Sequence, residues 1–206
     1  MAVTGPHREL AGGDVHAWID ESIHAPSVQV PQGMYLVAAA IASPRSCDPA
    51  RAELRKLVPK GAGRLHWRNE SDPRRRKIAA TISRLDCVNV VIVGLQVDPR
   101  KQERARSKCM ERLFYELGLR DVTRAWIESR TPELNERDRT LVARLRSRGA
   151  LPAGLFVDFE VPSVEPMLWV PDAVAGSVGM ARKSIDLDIR ASMAEMITEI
   201  DLVIDR

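Results

Sequence analysis

The chain has 206 residues, 45% of them hydrophobic and 29% charged, with a formal net charge of +3. This length and balance predict one globular domain of ordinary size, with or without an appendage, and exclude a disordered chain. The longest apolar run, Met34–Ala42, is shorter than half of the roughly 20 residues that span a bilayer. We therefore expect no transmembrane segment and no membrane partner.

The chain shows no sign of secretion. Residues 1–13 contain charge, Gly and Pro but no apolar core of the kind that a secretory signal has, and they predict a disordered leader. The cysteines Cys47, Cys87 and Cys109 are odd in number and fit neither a disulfide framework nor a zinc ribbon. A reducing cytoplasm is the expected location.

The first strand is predicted over residues 14–22, where apolar residues recur at a period of two. Both of its faces are rather apolar, which predicts a central strand. It stops on Asp20 and Glu21, at the carboxyl end where open α/β sheets bind ligands. A plain solvated turn is the alternative, because Asp and Ser are common turn residues.

The other elements follow as strand, helical insertion, strand, helix, strand, helix, strand, helix. Strands are predicted at residues 34–42, 87–97, 122–127 and 155–160, with a helix as the alternative for 34–42. Helices are predicted at residues 46–58, 71–85, 100–117, 134–147, 164–181 and 184–206. Early strands can pair antiparallel, whereas strands separated by helices pair parallel. This order predicts an α/β fold of the ribonuclease H-like type, a mixed sheet of about five strands flanked by helices.

Three acids stand out by position: Asp20 ends the first strand, Glu128 the fourth, and Asp172 lies in the last core helix. If the first and fourth strands are parallel neighbours, Asp20 and Glu128 emerge side by side and can share a metal. Two-metal phosphoryl chemistry uses converging carboxylates, and Mg²⁺ or Mn²⁺ suits them. The ordinary alternatives are that Glu128 pairs with Arg130 and that Asp172 caps the segment after Pro171.

Other candidates are weaker. Asp158 and Glu160 close the fifth strand and are second-choice outer ligands. His16 is expected to pack within its strand, and His24 has a small chance of reaching the acids. Basic residues cluster at 74–77, 101–108 and 137–148. Each basic cluster is either a solvated helix face or a surface that attracts a nucleic-acid partner, RNA or DNA.

Three short motifs resemble a prokaryotic family of unknown function, the 3800 family of the ribonuclease H-like superfamily. They are Asp-Glu-Ser at 20–22, Leu-His at 65–66 and Leu-Trp-Val-Pro-Asp-Ala-Val-Ala-Gly at 168–176. The resemblance covers residues 17–181. It implies a metal-dependent nuclease or related phosphodiesterase, with Asp20, Glu21 and Asp172 at the acidic positions and His66 at the histidine.

His66 is then a general acid, a general base or a phosphate contact, with a structural histidine as the alternative. The family pattern Leu-Gln-x-Ala-Asp reads differently here, because Trp169 replaces an amide and Pro171 either kinks the helix or starts it afresh. A rival hypothesis is therefore a non-catalytic nucleic-acid- or protein-binding module with a decayed site. A doubly wound small-molecule enzyme is a weaker option, because the chain has no Gly-rich turn after its first strand.

Residues 184–206 follow the predicted domain, 14–183, as an amphipathic helix. Their apolar residues recur every three or four positions, and the resulting stripe must be buried. Packing on the sheet of the same subunit is one answer. A homodimer through this helix is the other.

Overall fold

The computed structural model describes residues 14–31 and 33–204, so the predicted leader at 1–13 lies outside the described residues. The strands are β1 (His16–His24), β2 (Met34–Ala42), β3 (Val88–Leu95), β4 (Arg124–Glu128), β5 (Phe156–Glu160) and β6 (Ile197–Val203). The α-helices are α1 (Pro44–Arg55), α2 (Asp72–Ile82), α3 (Gln102–Gly118), α4 (Pro132–Ser147), α5 (Trp169–Arg182) and α6 (Asp188–Ala191). No helix in these described ranges is long and apolar enough to cross a membrane.

The strands form one mixed sheet in the order β5-β4-β1-β2-β3-β6. β2 runs antiparallel to both β1 and β3, whereas β4 is parallel to β1, β5 to β4, and β6 to β3. The predicted α/β class, the central place of the first strand and the ribonuclease H-like order are confirmed. β6 is a sixth strand at the β3 edge.

Helices cover both faces of this sheet, as the burial of β2 shows. All nine of its residues are buried, alternate ones facing a core built with α1, α2 and α5 and the others a core built with α3. The Ala-rich stretch of β2 gives two small faces, so helices pack closely on both sides. Residues 34–42 therefore form a strand and not the helix that their Ala content had left as the alternative.

The predicted helix over residues 184–206 is wrong. The chain forms the four-residue α6 and then β6, which pairs with β3. Ile197 and Ile200 are buried in different cores on opposite faces of the sheet. Their spacing of three imitates a helix, but burial on both faces of a strand produces the same pattern. The open edge of β3 supplies the backbone partners.

This correction removes the basis of a homodimer through that helix. The buried residues of the stripe are covered by the sheet and helices of their own subunit: Ile189, Met193, Met196, Ile197, Ile200 and Ile204. Ile185 stays 63% exposed. Six of the seven apolar residues of the stripe are therefore buried without a second subunit.

The helix α5 begins later than predicted. A short 3₁₀ turn at Pro166–Leu168 leads into Trp169, which places Pro171 in the first turn of α5. At that position the missing N–H of proline is not needed, so Pro171 fits within the first turn of a helix that begins at Trp169.

Candidate active site

β1 and β4 set Asp20 and Glu128 side by side. The two strands are parallel and in register from His16–Arg124 to Ile19–Ile127, and the two acids come directly after the last pair. Because side chains alternate along a strand, both acids point to the same face. β1 continues past Asp20 to His24, whereas β4 ends at Glu128. Asp20 therefore lies within β1, at the point where its neighbour β4 stops.

α5 packs on this same face and brings Asp172 from its first turn. Oδ2 of Asp172 accepts a hydrogen bond from the backbone N–H of Trp67 at 2.9 Å and lies 3.3 Å from Nδ1 of His66. The N-terminal turn of a helix also favours a negative charge. The insertion between α1 and α2 therefore holds one oxygen of Asp172 in place.

The three carboxyl groups oppose one another electrostatically. Burial raises the pKa of Asp20 well above its ordinary value, and the charges of Glu128 and Asp172 raise it further. Burial also raises the pKa of Glu128, against the lowering effect of Arg64. The interaction between the Asp20 and Glu128 side chains raises the pKa of Asp20 and lowers that of Glu128, so a proton in this pair is held more tightly by Asp20.

The donor set suits a hard cation. Asp20 and Glu128 line a cavity of about 110 Å³, and their oxygen donors are those that Mg²⁺ and Mn²⁺ prefer. Within residues 14–31 and 33–204, however, no group of three or more His, Cys, Asp or Glu side chains already stands in position to hold an ion. Arg64 donates to Oε1 of Glu128 at 3.1 Å. The donor chemistry therefore fits a metal, but Arg64 and the side chains must shift to bind it.

Glu21 lines the same cavity as Asp20 and Glu128, but its carboxylate is engaged elsewhere. It follows Asp20 on β1 and so points to the opposite face of the sheet. There it forms an ion pair with Arg106 and lies 3.7 Å from Arg130. Arg106 is 2% exposed and also binds both oxygens of Asp138 at 2.9 Å. Glu21 belongs to this buried ion cluster.

His66 is brought to the site, and its ring remains partly exposed. The hydrogen bond with Asp172 raises the pKa of His66 above its ordinary value. His24 lies elsewhere on the same face, with Nε2 3.0 Å from Oγ of Ser22 and its ring close to Gly179. His16 pairs with Asp14 at 3.1 Å.

The second-choice acids lie on β5. Glu160 is in register with Glu128, whereas Asp158 is in register with Trp126, two residues further from the site. Each of the two accepts a hydrogen bond from the next backbone N–H, at 2.9 Å for Glu160 and 2.8 Å for Asp158. Glu160 is therefore the nearer candidate for an outer ligand.

Two contacts that support the site were missed from the sequence: that of Trp67 with Gly176 and that of Arg64 with Glu128. The Trp67 ring lies against Gly176, where a Cβ would come within 2.1 Å of Cδ1 of Trp67. Gly176 is four residues after Asp172, so one face of α5 holds both the side chain and the backbone of Trp67. The four-residue spacing between Asp172 and Gly176 was a signal that the sequence contained. The pairing of Arg64 with Glu128 gave no such signal in the sequence.

The sequence matches no family model and no curated protein, so the resemblance to the 3800 family is not shown. The chain is similar in structure to RNase HII from Archaeoglobus fulgidus, solved in complex with PCNA, at 20% identity and a TM-score of 0.49. That match covers 84% of this chain and 79% of the other. A second similarity is to ribonuclease H2 from Pyrococcus horikoshii OT3, at 13% identity, TM-score 0.46, and coverage of 88% and 78%.

The fold is ribonuclease H-like. This assignment follows from the strand order and directions of the sheet. The two structural similarities carry no conclusion about activity or partners.

Proposed function

We propose that this protein is a divalent-metal-dependent nuclease that hydrolyses phosphodiester bonds in RNA or DNA. One observation carries the proposal: β1, β4 and α5 bring Asp20, Glu128 and Asp172 together on one face of the sheet, where the charges of Glu128 and Asp172 raise the pKa of the buried Asp20. Such an arrangement is unfavourable for three anions alone and favourable around a cation.

Asp20, Glu128 and Asp172 would hold Mg²⁺ or Mn²⁺, which supplies neutralisation of the scissile phosphate and an acidified water. Metal binding competes with protonation of Asp20, because a metal ligand must be deprotonated. Arg64, whose side chain is 42% exposed, is free to turn from Glu128 towards a phosphate oxygen. His66, bound to Asp172 and open to solvent, is placed to donate a proton to the leaving oxygen.

The second candidate function is a non-catalytic nucleic-acid- or protein-binding module. It is favoured by the ion pair of Arg64 with Glu128, which neutralises that carboxylate without a metal. The departures at Trp169 and Pro171 do not support it. Trp169 is buried and donates from Nε1 to the carbonyl of Pro162 at 2.8 Å, and Pro171 sits in a helical first turn.

Calorimetric titration with Mn²⁺ separates the two functions. We expect the wild type to bind the ion, Asp20→Asn to lose binding, and Asp48→Asn to retain it. Asp48→Asn is a matched control, because it removes one exposed carboxylate of α1, a helix on the same sheet face, outside the cluster. A wild type that does not bind Mn²⁺ would leave only the module hypothesis.

Cleavage of a labelled oligonucleotide and thermal unfolding in EDTA complete the test. Asp20→Asn should lower turnover by more than about 10²-fold, because a misplaced metal misaligns the reaction. Its stability in EDTA should equal or exceed that of the wild type, because one source of repulsion is gone. Unchanged turnover in Asp20→Asn would contradict the assignment of that residue.

A further inference from the structure

α3 and α4 enclose a groove on the sheet face opposite α5. Its volume is about 410 Å³. We call it the α3–α4 groove, and its cationic lining consists of Arg104, Arg106 and Lys108 from α3 and Arg137 and Arg144 from α4. The floor is the buried ion cluster that contains Arg106.

The two acids that line the groove are already paired from below. Asp138 binds Arg106 and Arg130 through hydrogen bonds of 2.9 to 3.3 Å, and Glu103 binds Arg130 at 3.2 Å. These pairs use the buried Arg106 and the half-buried Arg130. They leave no carboxylate for the cations at the rim.

The four rim cations, Arg104, Lys108, Arg137 and Arg144, have no carboxylate partner in the part of the chain that the structure describes. Arg144 donates to the hydroxyl of Ser107 at 2.9 Å, and Lys108 donates to the carbonyl of Ile204 at 2.6 Å. Cations that face each other across a groove without counter-charges repel one another, and anionic ligands relieve that repulsion.

The basic cluster at 74–77 is different, although its sequence looks more basic. Arg74 is bound by Glu70 and the carbonyl of Leu57, and Arg76 lies 3.4 Å from Asp186. These arginines have carboxylate partners within the protein, whereas the rim cations of the groove have none among the described residues. The groove, rather than residues 74–77, is therefore the site for an external anion.

We propose that the α3–α4 groove binds the phosphodiester backbone of a nucleic acid through its four rim cations. The proposal rests on the proposed function for the kind of anion, because a nuclease meets phosphodiesters. Arginine and lysine are the usual partners of backbone phosphates. Since Asp172 lies on the other face of the sheet, the groove contributes affinity and orientation and does not contact the scissile phosphate.

The test is fluorescence anisotropy with a short labelled DNA duplex and its RNA counterpart, in EDTA so that no hydrolysis occurs. Arg104→Gln/Arg137→Gln removes two rim charges. The control Arg45→Gln/Arg84→Gln removes two exposed arginines from the α1 and α2 side of the sheet. Both variants change the net charge equally, and circular dichroism checks that both are folded.

We expect the rim variant to bind at least about tenfold more weakly near 50 mM salt. Its slope of log affinity against log salt should be smaller by about two, one for each lost phosphate contact. The control should bind as the wild type does. Equal losses in the two variants, or a wild type that binds neither duplex, would overturn the proposal.

Competition distinguishes the backbone of a nucleic acid from a small polyphosphate. Inorganic tripolyphosphate should displace the duplex poorly at equal phosphate concentration, because an extended strand neutralises several rim cations at once. Full displacement under those conditions would overturn the proposal. Failure of Mn²⁺ binding in the separate calorimetric test would remove the nuclease function and leave this binding result intact.

Discussion

His24 is a histidine that folding keeps neutral. It lies at the end of β1, where its ring packs against Gly179 of α5 and its Nε2 is 3.0 Å from Oγ of Ser22. Burial lowers the pKa of His24 to about 4, and the charges of Lys183 and Arg68 act in the same direction. The unfolded chain, in contrast, takes up this proton near the ordinary pKa of 6.5.

His24 should therefore make stability depend on pH. Between pH 6.5 and about 4 the unfolded state binds more protons at this residue than the folded state does, so stability falls as the pH falls through that window. His24→Gln keeps a hydrogen-bonding group and removes the titration. Urea unfolding at several pH values should show a shallower dependence for the variant, by up to one proton. Identical pH dependence in the two proteins would contradict the neutral state.

Asp20 and Glu128 make the opposite contribution to the pH dependence of stability. Their raised pKa values mean that the folded state holds protons that the unfolded chain has released, so stability falls as the pH rises above the ordinary carboxyl range. A comparison of wild type with His24→Gln cancels this background. The histidine effect is therefore measurable although the acids titrate in an overlapping range.

At the scale of elements, the contact between the insertion and α5 decides the position of Asp172. Gly176 lets the Trp67 ring lie directly on the helix, and the Trp67 backbone N–H then reaches Asp172. His66, next to Trp67 in the chain, is placed by the same contact. One glycine thus supports the positions of two candidate functional groups.

Gly176→Ala should displace Trp67 and destabilise the protein by about 1–3 kcal/mol, the usual cost of overpacking a core. Gly63→Ala, in the same insertion but with open space around its Cβ position, should be nearly neutral. Urea unfolding measures both variants. The rate of cleavage by Gly176→Ala should fall by more than the loss of folded protein explains, because Asp172 loses a hydrogen bond. Equal stabilities of the two variants would argue against the contact.

The elements also show what the sequence could and could not predict. Strand order followed from alternation and from the helices between strands, and it correctly placed Asp20 beside Glu128. Glu21 was assigned to the same site because it matches an acidic position of the family that the sequence resembles. Its partner Arg106 comes from α3, a distant part of the chain, and only the alternating faces of β1 separate the two acids.

The C-terminal segment was misread for a different reason. Apolar residues at intervals of three and four are typical of a helix, but a strand buried on both faces can carry the same intervals. The deciding factor was the unpaired edge of β3, which lies about a hundred positions earlier in the chain. No local pattern within residues 184–206 contains that information.

At the scale of the whole molecule, β6 closes one edge of the sheet and covers both cores. Ile200 is 6% exposed within β6, whereas Val203 on the same strand is 39% exposed. Ile200→Ala should therefore cost about 2–5 kcal/mol, because it leaves a cavity in the core, and Val203→Ala clearly less. Urea unfolding compares the two variants.

The solution mass of the same variants tests the discarded dimer. Both should have the mass of the wild type, because β6 pairs with β3 of its own subunit and buries Ile197 and Ile200 there. A dimeric wild type that becomes a folded monomer on Ile200→Ala would contradict that reading. Light scattering on freshly purified protein is sufficient for the measurement.

The route by which Asp172 meets Asp20 has a consequence for synthesis. β1, β4 and α5 are translated in that order, so the three acids reach the chain one after another. Until α5 docks, Asp20 has no third carboxylate, and Trp67 has no helix to rest on. A nascent chain or a fragment that stops before residue 169 therefore lacks the assembled acids and cannot hold a metal between all three.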